Sequence, residues 1–328
     1  MGGEETRKSR LKQKKKKKKW VRNIFIVFLV LFAAVVGYGG YLYNKVSNVT
    51  KDSYVEPARG EKSELRKKEF DTGKDHFSVL FLGVDDRNQK TSTGRSDAMI
   101  LATFNRDKNS VKLVSIPRDS YVEIPGHGKD KITHAHAFGG IDLTIETVEK
   151  LFDIPVDEVV RVNFAAFKTV INELGGINVT IEDKYVADQI RKETHGQVDL
   201  KVGEQELDGE AALAYARTRK ADSDLKRGQR QMEIIKASIN KLKSFSSVPK
   251  YGDVLDRIGE NLTMSLTLKE AVGLYPFINS LDDIETLQLK GSDYWADRYY
   301  YKLDDESLEK IKSELKKHLE IDEASGES

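Results

Sequence analysis

Between Ile24 and Tyr43 the chain runs for twenty residues without a charged side chain, IFIVFLVLFAAVVGYGGYLY. At about 1.5 Å per residue such a run reaches about 30 Å, the thickness of a bilayer's hydrocarbon core. Six consecutive lysines, Lys14 to Lys19, stand just before it, which is not how a buried helix of a soluble domain begins. Trp20 marks one edge and Tyr38, Tyr41 and Tyr43 the other, where interfacial aromatics belong. A secretory signal peptide shares the basic start, but its apolar core is about 7–15 residues long and leads into a small-residue cleavage site. This run is longer and ends in Tyr and Gly. The sequence therefore predicts an uncleaved signal anchor over residues 23–43. No second apolar run of spanning length follows, so a single crossing is expected.

Charge sets the orientation. Residues 1–22 carry eleven Lys/Arg and two acids, a net of +9, against +1 for the whole chain, so the remainder is net −8. The positive-inside rule keeps the tail 1–22 in the cytoplasm and sends everything after Tyr43 outside, with the lysines against anionic lipid. The expected location is the cell membrane. A mildly acidic body does not suit duplex DNA, and no nucleic-acid partner is expected. The absence of cysteine excludes disulfides, thiolate zinc sites and cysteine nucleophiles. Residues 44–74 are polar, include Pro57 and Gly60, and read as an extracellular linker. One outer domain is expected over 75–319, followed by a flexible C-terminal tail, 320–328.

Within that domain, 77–84 (FSVLFLGV), 98–104 and 111–116 read as buried strands. Helices fit 143–152, 165–174, 209–216, 224–243 and 268–278, and further strands 159–164, 177–181 and 284–289. A last amphipathic helix carries Leu308, Ile311, Leu315 and Leu319. Strands interleaved with helices predict an α/β domain around a central, largely buried sheet.

There is no G-x-S-x-G, P-loop or G-x-G-x-x-G, and the six histidines lack metal spacing. His134 and His136 read as packing or capping residues. What stands out is a set of acids and arginines at the ends of predicted elements. Asp85, Asp86 and Arg87 follow the first strand. Arg95, Ser96 and Asp97 precede the second, and Arg118 and Asp119 follow the third. The densest patch, YARTRKADSDLKRGQRQ, carries Arg217, Arg219, Arg227 and Gln231. Ligands of α/β sheets bind outside the strand ends. Carboxylates there suit Mg²⁺ and guanidinium forks suit phosphate, while Arg227 and Gln231 share one face near a helix N-terminus. The pattern points to a polyphosphate site on a membrane-tethered domain.

The stretches VLFLGVDDR, RSDAMILATF, VSIPRDSYVEIPGHGKDKITHAHAFGG, ELGGINVTI and LDGEAALAYARTRKADSDLKRGQRQ, behind a lysine-rich end and one span, resemble the LytR–CpsA–Psr family of Gram-positive bacteria, and within it the teichoic acid transferase branch. The resemblance implies a central mixed sheet flanked by helices on both faces, with an apolar tunnel for a polyprenyl tail. It implies a phosphotransferase that moves an anionic glycopolymer, wall teichoic acid in that branch, from an undecaprenyl-pyrophosphate carrier to the C6 hydroxyl of peptidoglycan N-acetylmuramic acid, releasing polyprenyl phosphate. The implied cofactor is Mg²⁺, with Mn²⁺ as a substitute, on Asp85 and Asp97. The implied pyrophosphate ligands are Arg95, Arg118, Arg217, Arg219, Arg227 and Gln231, of which Arg118, Arg217 and Arg219 act with Asp97 in catalysis. In KADSDLKR the family's acid falls on Asp222 or Asp224, with Asp224 preferred. Asp97, Asp119 and Asp224 all remain open as general base. Partners implied are the lipid-linked glycopolymer, peptidoglycan, the membrane and the cell-wall synthesis machinery. Two other readings share the clamp: a non-enzymatic polyprenyl-phosphate sensor that regulates autolysis, and a polyprenyl-pyrophosphate phosphatase.

Overall fold

The apolar run after His76 forms strand β1, Phe77–Val84, and both of its faces are covered. Leu80, Leu82 and Val84 enter one core, Phe77 and Val79 another, as the period-2 alternation of a strand requires. The computed structural model describes residues 53–60, 62–85, 94–218, 224–244, 262–274, 276–277 and 284–321, with the single positions 47 and 51. No helix among the described residues is long and apolar enough to cross a membrane, and the expected tail 1–22 and anchor 23–43 lie outside them.

In chain order, β1 is followed by β2 (Ser96–Asn105), β3 (Ser110–Ser115) and a hairpin of β4 (Tyr121–Ile124) and β5 (Gly128–Lys131). Helix α1 (Thr133–Phe152) leads to β6 (Glu158–Asn163) and α2 (Phe164–Glu173). Next come β7 (Ile177–Ile181), α3 (Lys184–Glu193), β8 (Gly203–Leu207), α4 (Gly209–Arg217) and α5 (Asp224–Ser244). The chain continues through β9 (Leu262–Met264), α6 (Leu268–Gly273), β10 (Glu285–Gln288), the hairpin β11 (Gly291–Trp295) and β12 (Tyr299–Leu303), and α7 (Asp305–Leu319).

The central sheet has six strands in the order β10-β3-β2-β1-β6-β9. It is mixed: β1 pairs antiparallel with β2 and parallel with β6, and β3 pairs antiparallel with β2 and parallel with β10. Helices lie on both faces. Ile145, Val148 and Phe152 of α1 and Ile311, Leu315 and Leu319 of α7 pack on one side. Met232, Ile235 and Ile239 of α5 pack on the other with Phe277 and Ile284. A third core joins the β7–β8 hairpin to α2, α3 and α4.

Helix caps explain several boundaries. Asn163, Asp208 and Asp304 each accept a backbone N–H three residues on, at 2.8 Å, and so start α2, α4 and α7. Helix α1 differs from the sequence expectation of 143–152. It starts at Thr133 and breaks at Gly139 and Gly140, where Gly140 takes φ 62, a conformation L side chains avoid. The short strands β4, β5, β8, β9, β11 and β12 and helix α3 lie outside the sequence expectation, although α3 is clearly amphipathic, with Val186, Ala187 and Ile190 buried on one face.

The segment 53–74, expected as part of a free linker, is tied to the domain. Arg66 forks onto Asp157 through Nε to Oδ1 at 2.8 Å and Nη2 to Oδ2 at 2.6 Å, and Arg59 Nη1 donates to Glu149 Oε1 at 2.6 Å. Linker polarity here reflects ion pairing with the domain. Of the expected C-terminal tail, Glu320 closes α7 in a left-handed conformation and Ile321 N donates to Lys316 O at 3.1 Å. Residues 322–328 lie outside the described residues.

Candidate functional site

The strand directions bring the expected residues to one end of the sheet. Since β3 and β6 run parallel to β1, Asp85 after β1, Arg118 after β3 and Phe164 after β6 emerge at the same edge, beside the start of β2. The sequence places Asp97 before the second strand; the structure puts it inside β2. Gly83 pairs with Ala98 and Val84 with Ser96, so Asp97 is the extra residue of a β-bulge. A bulge re-aims the side chain that carries it, here toward Arg118.

Arg118 Nη1 donates to Asp97 Oδ1 in a short contact, and Arg118 Nε, buried without a hydrogen-bond partner, lies 3.5 Å from Asp119 Oδ2. Lys131 Nζ approaches Asp119 Oδ1 at 2.8 Å. Burial opposes the charge of Asp119, but the Lys131 hydrogen bond and the charges of Arg118, Lys131 and Arg227 outweigh it and hold the carboxyl below its ordinary value. Such a carboxylate is a weak proton acceptor at neutral pH and a good anchor for the cations around it.

Arg217, the last residue of α4, donates through Nη2 to Asp85 Oδ2 at 3.4 Å, and its guanidinium lies 4.3 Å from the centroid of Phe164. Stacking on that ring fixes the plane of the fork. Arg227 is buried at the start of α5, and Gly228 beside it lets the helix lie against β3, since a Cβ there would come within 2.7 Å of Ser115 Oγ. Arg95 is exposed just before β2. Asp86, Arg87, Arg219 and Asp222 lie outside the described residues, as does the side chain of Asp224.

Behind these groups an apolar cavity of about 340 Å³ runs between the sheet and α5. Phe81, Ile100 and Leu113 form its sheet wall and Ile234, Ile235 and Ile239 its helix wall, while Asp97, Arg217, Arg227 and Gln231 stand among its lining residues. The site is thus a charged rim on an apolar slot. It suits a ligand with a multiply anionic head and a hydrocarbon tail.

Asp85 and Asp97 fit a hard divalent cation by donor chemistry: both are carboxylates, now facing arginines, and such an ion takes oxygen ligands. Among the described residues the only three-member cluster of metal-ligand types is His76, Asp107 and Glu320, before β1 and so at the far end of the sheet. There Arg106 N donates to His76 Nδ1 at 3.0 Å, so the neutral ring keeps its proton on Nε2, facing Glu320 at 3.3 Å. That nitrogen donates to the carboxylate and does not offer a lone pair.

Three contributors escaped the sequence reading. Phe164 lies under Arg217 and opens α2, where the sequence pattern predicts the end of a strand. Lys131 sits in an unrecognised hairpin and carries no local signal. Arg230 is buried and donates to Tyr215 O at 3.0 Å and Thr218 O at 2.8 Å, tying α5 to the end of α4. Its spacing of three from Arg227 on a helix was the available signal. Of the two histidines, buried His136 packs as expected, while His134 pairs with Asp130 and neither caps α1. His134 Nδ1 meets Asp130 Oδ2 at 2.8 Å; buried His136 donates from Nδ1 to Gly94 O at 2.6 Å, and Thr133 Oγ1 donates to Ser96 O at 2.8 Å. The His136 and Thr133 bonds hold the backbone that precedes Asp97.

A family model described as the LytR_cpsA_psr family matches residues 40–317. The polyisoprenyl-teichoic acid–peptidoglycan teichoic acid transferase TagT of Bacillus subtilis (strain 168) is 54% identical over 323 residues, covering 97% of this chain and all of its relative. TagV of the same organism is 37% identical over 92% of this chain and 79% of its own length. Among solved structures, TagT bound to LI-WTA superposes with a TM-score of 0.74 at 55% identity, covering 82% of this chain and 100% of the other. TagT with bound octaprenyl pyrophosphate lipid superposes with a TM-score of 0.70 at 50% identity, over the same shares.

Proposed function

This chain belongs to the LytR–CpsA–Psr family, and on that premise we propose that it is a transferase that moves an anionic glycopolymer, wall teichoic acid, from a polyprenyl-pyrophosphate carrier to peptidoglycan. The observation that carries the reading is the union of a guanidinium-and-carboxylate rim with an apolar cavity. The relative with octaprenyl pyrophosphate bound supports the same class of ligand here.

In this reading the prenyl tail enters the cavity and the diphosphate lies across Arg118, Arg217 and Arg227, with Arg95, Arg219 and Gln231 completing the clamp. The C6 hydroxyl of N-acetylmuramic acid attacks the sugar-bearing phosphorus. The P–O bond to polyprenyl phosphate breaks, a phosphodiester forms, and polyprenyl phosphate leaves. The hydroxyl proton passes to a carboxylate at the rim, Asp97, Asp119 or Asp224; Asp97 lines the cavity and pairs with Arg118, and Asp119 pairs with Lys131. Asp85 and Asp97 would hold Mg²⁺, or Mn²⁺ in its place, which would supply counter-charge to the diphosphate. Catalysis of this kind rests on positioning and on stabilising charge at phosphoryl oxygens. The arginine plane set by Phe164 and the bulge at Asp97 are the positioning devices. The proposal includes the signal anchor over 23–43, with the N-terminus cytoplasmic and the domain outside.

The test incubates the full chain with a prenyl-pyrophosphate-linked disaccharide, peptidoglycan oligomers and Mg²⁺. Glycan covalently joined to the acceptor is the expected result. Phosphate release without that product would replace the transferase with a phosphatase, and binding without turnover would replace it with a sensor.

A further inference from the structure

Trp295 is 73% exposed, the highest value among the large apolar side chains described, and it enters none of the apolar cores. It sits at the tip of the β11–β12 hairpin, paired across the strands with Tyr299 at a ring separation of 5.4 Å. One step along, Tyr294 pairs with Tyr300, and Tyr121 of β4 packs on both at 5.5 and 4.7 Å. Tyr300 is buried and serves as the base of the cluster, while Tyr294 stays partly open. A hairpin stabilised only by its own rings has no use for the exposed indole.

The hairpin is joined directly to the catalytic end of the sheet. Tyr301 N donates to Asp119 O at 2.8 Å, next to Arg118. Lys131, the ion-pair partner of Asp119, lies 5.5 and 5.7 Å from the rings of Tyr299 and Tyr300. A ligand on these rings therefore lies beside the charged rim.

The chemistry of the patch favours a sugar over a lipid surface. Every residue of β11 is exposed, including Ser292 and Asp293. Asp293 accepts from Tyr299 and Asp297 from Tyr300, each at 3.0 Å. An interfacial membrane anchor sets unneutralised cations beside its aromatics and avoids carboxylates, whereas here Lys131 is paired with Asp119 and Arg298 with Asp297, at 2.8 and 2.7 Å. Rings flanked by carboxylates instead match a pyranose, whose C–H face stacks on an aromatic while its hydroxyls donate at the edge.

We propose that the β11–β12 hairpin, with Trp295 and Tyr294 as stacking surfaces, is the platform on which the acceptor glycan strand lies while its hydroxyl reaches the rim. This rests on the transferase reading above for the identity of the acceptor. The binding itself does not depend on turnover.

The experiment uses the full chain in nanodiscs in a Trp20→Phe background, which leaves Trp295 as the one tryptophan of the two in the sequence. Soluble uncross-linked oligomers of alternating N-acetylglucosamine and N-acetylmuramic acid are titrated in, with fluorescence and calorimetry as readouts. Saturable change in Trp295 emission is expected. Trp295→Ala and Tyr294→Ala each weaken glycan binding on the order of tenfold. Trp295→Phe restores most of it, and binding of a short prenyl pyrophosphate is unchanged. In the transfer assay the glycan KM rises while kcat holds. Equal glycan affinity in all variants overturns the platform, as does quenching of Trp295 by brominated lipid without response to glycan. Glycan binding through Trp295 in a chain that transfers nothing removes the transferase and leaves the platform standing.

Discussion

Arg230 Nη2 donates to the backbone carbonyl of Thr218 at 2.8 Å, and through this bond the buried start of α5 holds the chain just after Arg217. The same guanidinium also satisfies Tyr215 O, so one side chain covers two carbonyls at the C-terminus of α4. Arg230 is not among the residues that line the cavity; it acts by placing Arg217.

Replacing Arg230 by Met removes both bonds and leaves buried carbonyls without their donor, which costs roughly 1–3 kcal/mol per orphaned group. A lower thermal midpoint is expected, together with weaker prenyl-pyrophosphate binding. Arg230→Lys keeps the charge but reaches one carbonyl, so it should recover stability more than binding. Equal recovery of both in a paired unfolding and binding measurement would remove the positioning role.

The fork geometry makes Arg118→Lys and Arg217→Lys informative. Lysine keeps the charge but loses the parallel donors and, at Arg217, the stack on Phe164. A charge-assisted hydrogen bond contributes roughly 1.5–3 kcal/mol, so each variant should lose about tenfold or more in diphosphate binding. Phe164→Leu should mimic a milder Arg217→Lys. Lys226→Ala, exposed on α5, is the control and should be nearly silent.

Asp97→Asn keeps the volume and the bulge while removing a charge, and Asp85→Asn does the same beside Arg217. Transfer should fall to background in both, with the fold intact by circular dichroism. Near-normal Mg²⁺-dependent transfer in both variants would reduce these aspartates to arginine holders.

The cavity predicts a dependence on tail length. Ala216 lines it, and Ala216→Phe places a ring in space that a prenyl chain would fill. Binding of octaprenyl pyrophosphate should drop sharply while inorganic pyrophosphate binds as before. Overpacking costs about 1–3 kcal/mol, so the midpoint of unfolding is recorded alongside.

Two buried groups give stability opposite pH slopes. Burial pushes His318, held between Thr103 Oγ1 at 2.8 Å and Ser110 Oγ at 2.9 Å, down to about 4. Between about 4 and the ordinary value near 6.5 the unfolded chain binds the extra proton, so stability falls as pH drops through that window. Burial pushes Glu158 up to about 8 despite its bond from Ser265, so from about 4.5 to 8 the folded chain holds the extra proton and stability falls as pH rises. Denaturant melts across pH should show His318→Gln flattening the acid limb and Glu158→Gln the alkaline limb. Unchanged limbs would mean that neither group carries the linkage.

The sequence alone determined the elements whose pattern is strong and local. The run 77–84 is apolar throughout because β1 is buried on both faces, and the stripe Met232, Ile235, Ile239 is periodic because α5 covers a sheet. Residues at strand ends were legible as a charged set because α/β topology gathers such ends. Weak elements were not legible: β11 is exposed along its whole length and carries no burial pattern to read. Only the tertiary structure decided which charges meet. Asp97 faces Arg118 through a one-residue bulge, Lys131 reaches Asp119 from a separate hairpin, and Phe164 stacks under Arg217 from another strand end. Such contacts join residues far apart in the chain through register and strand order, and periodicity along a sequence does not encode them.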